Sequence, residues 1–206
     1  MNQRLAAYYA LVFLARQLTE EWVVWAVEPE IRSGKFDLRL VHPSGPFLYF
    51  LSSNVAHKVV KLVVILPVLY LVHRFAGVPW WRLAAFLVAS GIGLFIAYVW
   101  GFCMAMIGLA TRRVILLYTS ISSIGFFFSG QFAPLALLPD PMAVIARCTP
   151  FWWAVGFPVE LTGVMGEPGL HVGTGLAAQV GVAIGLYLVK AWMWPRLLRH
   201  YASVGG

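Results

Sequence analysis

The sequence predicts an all-α fold, that of a polytopic helical membrane protein with about five transmembrane helices plus short outer interfacial helices. Of the 206 residues, 61% are hydrophobic and only 11% are charged, and the mean hydropathy is +0.80. Several apolar runs reach the about 20 residues that a helix needs to cross a hydrocarbon core. Nine tryptophans, including the pairs Trp80-Trp81 and Trp152-Trp153, are typical of membrane–water interfaces.

Five apolar stretches of a single domain, residues 1–206, are predicted to span the membrane: 5–27, 47–76, 82–110, 113–133 and 172–194. Residues 28–46 are too charged for hydrocarbon, in which each unpaired charge costs about 2.5–3.5 kcal/mol or more. Residues 134–171 contain repeated prolines, which predict short helices in or dipping into the outer membrane face. Residues 195–206 are predicted to form a cytoplasmic tail.

The basic residues predict the orientation of these spans. If residues 28–46 face the cytoplasm, ten Lys and Arg side chains lie at inner edges and four at outer edges, as the positive-inside rule requires. The inner set is Arg32, Lys35, Arg39, Lys58, Lys61, Arg112, Arg113, Lys190, Arg196 and Arg199, and the outer set is Arg4, Arg74, Arg82 and Arg147. The net charge of +7 is therefore attributed to membrane orientation, and no nucleic-acid partner is expected.

The longest charged segment is EIRSGKFDLRLVHP, Glu30 to Pro43. Its apolar residues Ile31, Phe36, Leu38 and Leu40 are spaced to give one apolar face on a short helix or turn, onto which a soluble partner would dock. An ordinary solvated loop is the alternative interpretation, and periodicity alone favours it.

Two stripes of small residues at i, i+4 spacing predict close helix packing, because small side chains let helix backbones approach each other in lipid. The first comprises Ala89, Gly93, Ala97, Gly101 and Ala105, and the second comprises Gly173, Ala177, Gly181 and Gly185. The spacing does not distinguish packing within the chain from packing against a second copy.

Motifs for catalysis, cofactor binding and metal binding are missing from the sequence. No GxxxxGK[ST], HExxH or GxSxG pattern occurs, and the five histidines are dispersed. Any energy-coupled work would therefore draw on another chain or on an ion gradient. Gradient carriers usually place charged groups at mid-membrane, whereas the later spans contain only Gln179, which argues against a carrier.

Two stretches resemble the permease subunits of bacterial type-2 ATP-binding-cassette (ABC) exporters. Glu30–Pro43 resembles the segment after the family's second span, and residues 129–164 resemble the stretch between its fifth and sixth spans. The matching outer residues are Ser129-Gly130, Pro134, Leu138-Pro139, Pro150-Phe151, Phe157-Pro158-Val159-Glu160 and Gly163. The first predicted span matches the family's second. The family usually has six spans and a cytoplasmic N-terminus, whereas only five spans are predicted here. A misassigned start codon, a truncated chain and an unusual subunit are the three explanations left open for this difference.

The resemblance implies that two permease chains, identical or different, form a path through the bacterial inner membrane, and that separate ATPase chains bind ATP and Mg. It also implies two sets of site residues. The ATPase-coupling set is Glu30, Arg32, Gly34, Lys35, Phe36, Asp37, Leu38 and Leu40, and the outer-gate set is Ser129, Gly130, Pro134, Pro139, Pro150, Phe151, Pro158 and Glu160. A membrane assembly or scaffold protein and a membrane-embedded enzyme are the alternative functions.

Overall fold

The computed structural model describes residues 2–111, 113–199 and 201, and in this part of the chain it contains helices and no strands. The α-helices are α1 Asn2–Thr19, α2 Val23–Ser33, α3 Phe36–Leu40, α4 Gly45–Ala76, α5 Trp80–Thr111, α6 Ile115–Phe128, α7 Asp140–Arg147, α8 Phe157–Leu161 and α9 Val172–Leu198. A 3-10 turn covers Leu135–Leu137, and a π-helical segment, Trp152–Gly156, leads into α8. The predicted all-α class is confirmed. Arg112, His200 and residues 202–206, predicted to be cytoplasmic, lie outside the described residues.

Three of the described helices, α4, α5 and α9, are long and apolar enough to cross a membrane. A fourth candidate is the pair formed by α7 and Trp152–Leu161, which is bent by 87°. This count is smaller than the predicted five, because the predicted span 113–133 corresponds to the 14 residues of α6 and the predicted span 5–27 is divided in two.

The division of the predicted span 5–27 has a tertiary cause. Helix α1 ends at Thr19, and α2 begins at Val23 after Trp22 leaves helical geometry with φ −134°. The ammonium group of Lys58, on α4, donates a hydrogen bond to the main-chain carbonyl of Glu20, and the Glu21 carboxylate accepts the Val23 N–H at 2.9 Å. Side chains thus satisfy two of the main-chain groups that the break exposes, the Glu20 carbonyl and the Val23 N–H.

Helix α5 is the centre of the fold and contacts α9, α2, α1, α8 and the π-helical segment. The first stripe of small residues explains this position. A Cβ atom on Gly93 would lie 2.3 Å from the Ala154 carbonyl oxygen, and one on Gly101 would lie 2.4 Å from the Glu21 carboxylate. Ala97 is half-buried and Ala89 is fully buried, so this stripe packs within the chain.

The second stripe of small residues lies on an exposed surface of α9. Ala177 is exposed, and a Cβ atom on Gly181 or Gly185 would meet no described atom within 4 Å. The prediction of close packing at these residues is therefore wrong for contacts within the described chain, because α9 packs on α5 through Gln179 and Ala183 instead. A contact with a second copy stays a prediction.

Candidate functional site

The segment predicted to couple to an ATPase is a sharp helix–turn–helix corner. Gly34 ends α2 with φ 75°, a left-handed conformation that favours glycine, and the chain then enters the short helix α3. An ion pair between Arg39 and Glu30, with its shortest N–O distance 2.8 Å, ties α3 back to α2. The hydrogen bond to the Glu30 carboxylate also raises the pKa of Arg39. The corner is therefore held in one shape by charge-assisted hydrogen bonds.

Phe36 does not lie on the outer surface of this corner. Its side chain is only 1% exposed and belongs to the core cluster that includes Ile31, Phe102 and Leu109. The prediction that Phe36 offers a docking anchor is therefore wrong, because the left-handed turn at Gly34 folds α3 back and directs Phe36 inward.

The outward surface of the corner carries a different set of residues. Leu38 is 68% exposed and Val41 is 81% exposed, and Arg32 and Lys35 are also exposed. Asp37 accepts a hydrogen bond from the Tyr201 hydroxyl at 2.9 Å, and Leu40 is half-buried. The corner therefore presents a small apolar surface at Leu38 and Val41 beside basic side chains.

The residues predicted as an outer gate are divided between two cavities. Ser129, Pro150 and Phe151 line a cavity of about 370 Å³, which we call the aromatic cavity. Gly130, Pro134 and Glu160 line a neighbouring cavity of about 220 Å³. Pro139 is exposed before α7, and Pro158 is buried in α8; neither lines these cavities.

The aromatic cavity lies beside the break between α1 and α2. Its walls come from that break, from α5 and α6, and from the chain around the π-helical segment. Six large aromatic side chains contribute to the walls: Trp22, Trp25, Trp100, Tyr118, Phe126 and Phe151. A cavity of this volume, lined by aromatic rings and by polar and charged side chains, has the size of a site for a small organic molecule.

Glu21 is a buried charged residue among the side chains that line the aromatic cavity. The residue is only 7% exposed, and its carboxylate accepts hydrogen bonds from the Tyr118 hydroxyl and the Val23 N–H. Gly101 makes room for it on α5, since a side chain there would overlap the carboxylate. The indole N–H of Trp100, which also lines the cavity, is buried and has no hydrogen-bond partner among the described residues.

A family model described as "ABC-2 family transporter protein" matches residues 3–205. The chain belongs to this family. The resemblance stated from the two sequence stretches is thus confirmed, and the chain is a multi-pass membrane component of a transporter. A search of curated proteins and a search of solved structures each found no match.

Sequence reasoning did not single out Glu21, Trp100 or Tyr118 in this ABC-2 family transporter. The available signal was the acidic pair Glu20-Glu21 inside an otherwise apolar stretch, because ionisable residues in a predicted span commonly mark a functional site. Within the described residues, no three His, Cys, Asp or Glu side chains are grouped closely enough to hold a metal ion.

Proposed function

We propose that this chain is the permease subunit of an ABC exporter in a bacterial inner membrane. It forms the substrate path with a second permease chain and takes its energy from a separate ATPase, which binds ATP and Mg and docks on residues 28–46. One observation carries the proposal: the corner between α2 and α3 is exposed on one side and firmly anchored in the core on the other.

The anchored side would let the corner transmit a movement. Phe36 and Ile31 pack into the core around the inner part of α5. Glu28, on α2, accepts hydrogen bonds from the main-chain N–H groups of Val114 at 2.6 Å and Ile115 at 2.7 Å, and so caps the start of α6. A displacement of α2 would therefore be passed to α5 and α6, which both line the aromatic cavity.

The exposed side supplies the docking surface. Leu38 and Val41 would enter an apolar groove of the ATPase, with Arg32 and Lys35 at its rim. Closure of the ATPases on ATP would pull on this corner and shift the permease pair towards an outward-open state. ATP would then act through its differential affinity for two states.

The test is co-purification of an affinity-tagged chain with P-loop ATPases from host membranes, identified by mass spectrometry. Truncation of buried anchors weakens an interface more than loss of rim charges. We expect the double variant Leu38→Ala, Val41→Ala to reduce ATPase recovery about tenfold at matched expression. Leu137→Ala, an exposed leucine on the predicted outer side, is the matched control.

Full recovery of the ATPase by the double variant would contradict docking at this corner. If the unmodified chain neither retains a P-loop ATPase nor stimulates one after reconstitution, the exporter proposal fails, and the scaffold and membrane-enzyme alternatives take precedence. Phe36→Ala is unsuitable as a docking probe because that side chain belongs to the core.

A further inference from the structure

The charged groups that line the aromatic cavity include a buried carboxylate that forms no ion pair among the described residues. Three charged side chains line the cavity: Arg16, Glu20 and Glu21. The Glu20 carboxylate is paired with the Lys61 ammonium at 2.8 Å. Arg16 is exposed, and one of its terminal nitrogens lies 3.5 Å from the Gln131 side-chain oxygen. Glu21 is buried, and no Lys, Arg or His nitrogen among the described residues forms an ion pair with it.

We infer that the aromatic cavity is a binding site for an amphipathic organic cation, with Glu21 as its counter-charge. The inference rests on the proposed transport function and specifies the chemical class of the molecule carried. It is argued from three features: the unpaired carboxylate, the aromatic walls, and the volume of about 370 Å³.

The carboxylate favours a positive charge over a negative one. Removing a carboxylate from water is costly, and a nearby opposite charge recovers part of that cost. The two hydrogen bonds to Glu21 come from a tyrosine hydroxyl and a main-chain N–H, which are both neutral donors. Lys58 and Arg16 act on Glu21 electrostatically, but neither forms an ion pair with it among the described residues. A cation in the cavity would therefore supply a positive charge in direct contact with this carboxylate.

The aromatic walls favour the same kind of ligand. Trp25 and Tyr118 pack edge to face with ring centroids 5.0 Å apart, and Trp100 and Phe151 pack edge to face at 5.5 Å. The faces of such rings attract cations, tryptophan most strongly, and they also pack against the ligand's apolar body. The unpartnered Trp100 N–H adds a donor for a polar atom of the ligand.

The probe is tetraphenylphosphonium, and its control is tetraphenylborate, which has nearly the same shape and the opposite charge. Binding of each ion to the purified full chain is measured by equilibrium dialysis in detergent, with empty micelles as the blank. We expect saturable binding of the cation. Glu21→Gln, which keeps the size of the side chain, should weaken cation binding about tenfold, and it should strengthen anion binding or leave it unchanged, because it removes a negative charge that repels the anion.

Asp140→Asn is the matched control variant. It removes one negative charge from an exposed residue that does not line the aromatic cavity, and it should leave the affinity for both ions unchanged. Trp100→Phe keeps a ring but removes the indole, and should weaken cation binding about threefold. This second variant tests the site even if Glu21→Gln fails to fold.

Three results would overturn the inference: no saturable binding of tetraphenylphosphonium, equal affinity of the unmodified chain for both ions, or unchanged cation binding in a folded Glu21→Gln or Trp100→Phe variant.

ATPase recovery is measured on the same preparations. A chain that retains the ATPase but does not bind the cation refutes this inference and leaves the exporter proposal standing. A chain that binds the cation without an ATPase supports the site while the exporter proposal fails.

Discussion

One added methyl group at Gly93 tests the central packing of the fold. In Gly93→Ala the new Cβ atom would lie 2.3 Å from the Ala154 carbonyl oxygen, with the Ala154 carbonyl carbon at 3.1 Å. Side-chain atoms essentially never approach below about 3.0 Å, so α5 and the π-helical segment must separate by about 0.7 Å. The clashing atoms are main-chain atoms, so rotation of a side chain cannot relieve the overlap.

The expected magnitude combines two opposing contributions. Overpacking of a close contact typically costs about 1–3 kcal/mol. Replacement of glycine by alanine inside a helix stabilises the helix by about 1 kcal/mol. Because the overlap involves main-chain atoms, the overpacking cost should lie in the upper part of its range, about 2–3 kcal/mol. The net loss in the free energy of unfolding should then be about 1–2 kcal/mol, which lowers the thermal midpoint by roughly 2–8 °C for a chain of this size.

Gly181→Ala is the matched control, because it makes the same chemical change in a long helix where no described atom lies within 4 Å. It should keep the helix-propensity gain without the overlap, so its midpoint should equal or exceed that of the unmodified chain. Thermal unfolding of both purified variants in the same detergent, followed by intrinsic tryptophan fluorescence, gives the comparison. Equal shifts in the two variants would refute the packing argument.

Two further predictions follow from other contacts. Glu28→Ala should destabilise the fold by about 1–3 kcal/mol, because it leaves the main-chain N–H groups of Val114 and Ile115 without their acceptor. Glu167→Ala, which removes an 83% exposed partner of Arg82, should change the unfolding free energy by less than about 0.5 kcal/mol in the same thermal assay. The predicted orientation is checked with a membrane-impermeant maleimide. Native Cys148, which is exposed, should react in intact cells. Val41→Cys, made in a Cys148→Ser background, should react only after the cells are permeabilised. The reverse pattern would contradict the positive-inside assignment.

Composition was sufficient to predict the fold class. A high apolar content with few charges predicts membrane helices, because in hydrocarbon a helix satisfies its own main-chain hydrogen bonds. The family could also be predicted, because Glu30–Pro43 and residues 129–164 are punctuated by glycines, prolines and charges at specific spacings. These signals are local, and they do not depend on which helices are neighbours.

The same local patterns could not show which surfaces face one another. In lipid, a helix face that packs against protein and a face that meets acyl chains have similar polarity, so hydropathy does not distinguish them. The two small-residue stripes illustrate the problem: Gly93 is in contact with Ala154, whereas Gly181 meets no described atom within 4 Å. The spacing is the same in both, and only the tertiary structure separates them.

Tertiary structure also decided which residues of the two charged segments are buried and where the first helix ends. The spacing of the apolar residues placed Phe36 on a docking surface, but the left-handed turn at Gly34 directs it into the core and leaves Leu38 exposed. The acidic pair after the end of α1 was placed inside a continuous helix, whereas the helix breaks there and Lys58 binds the freed Glu20 carbonyl. The aromatic cavity beside that break has walls from segments more than 100 residues apart, which only the packed chain brings together.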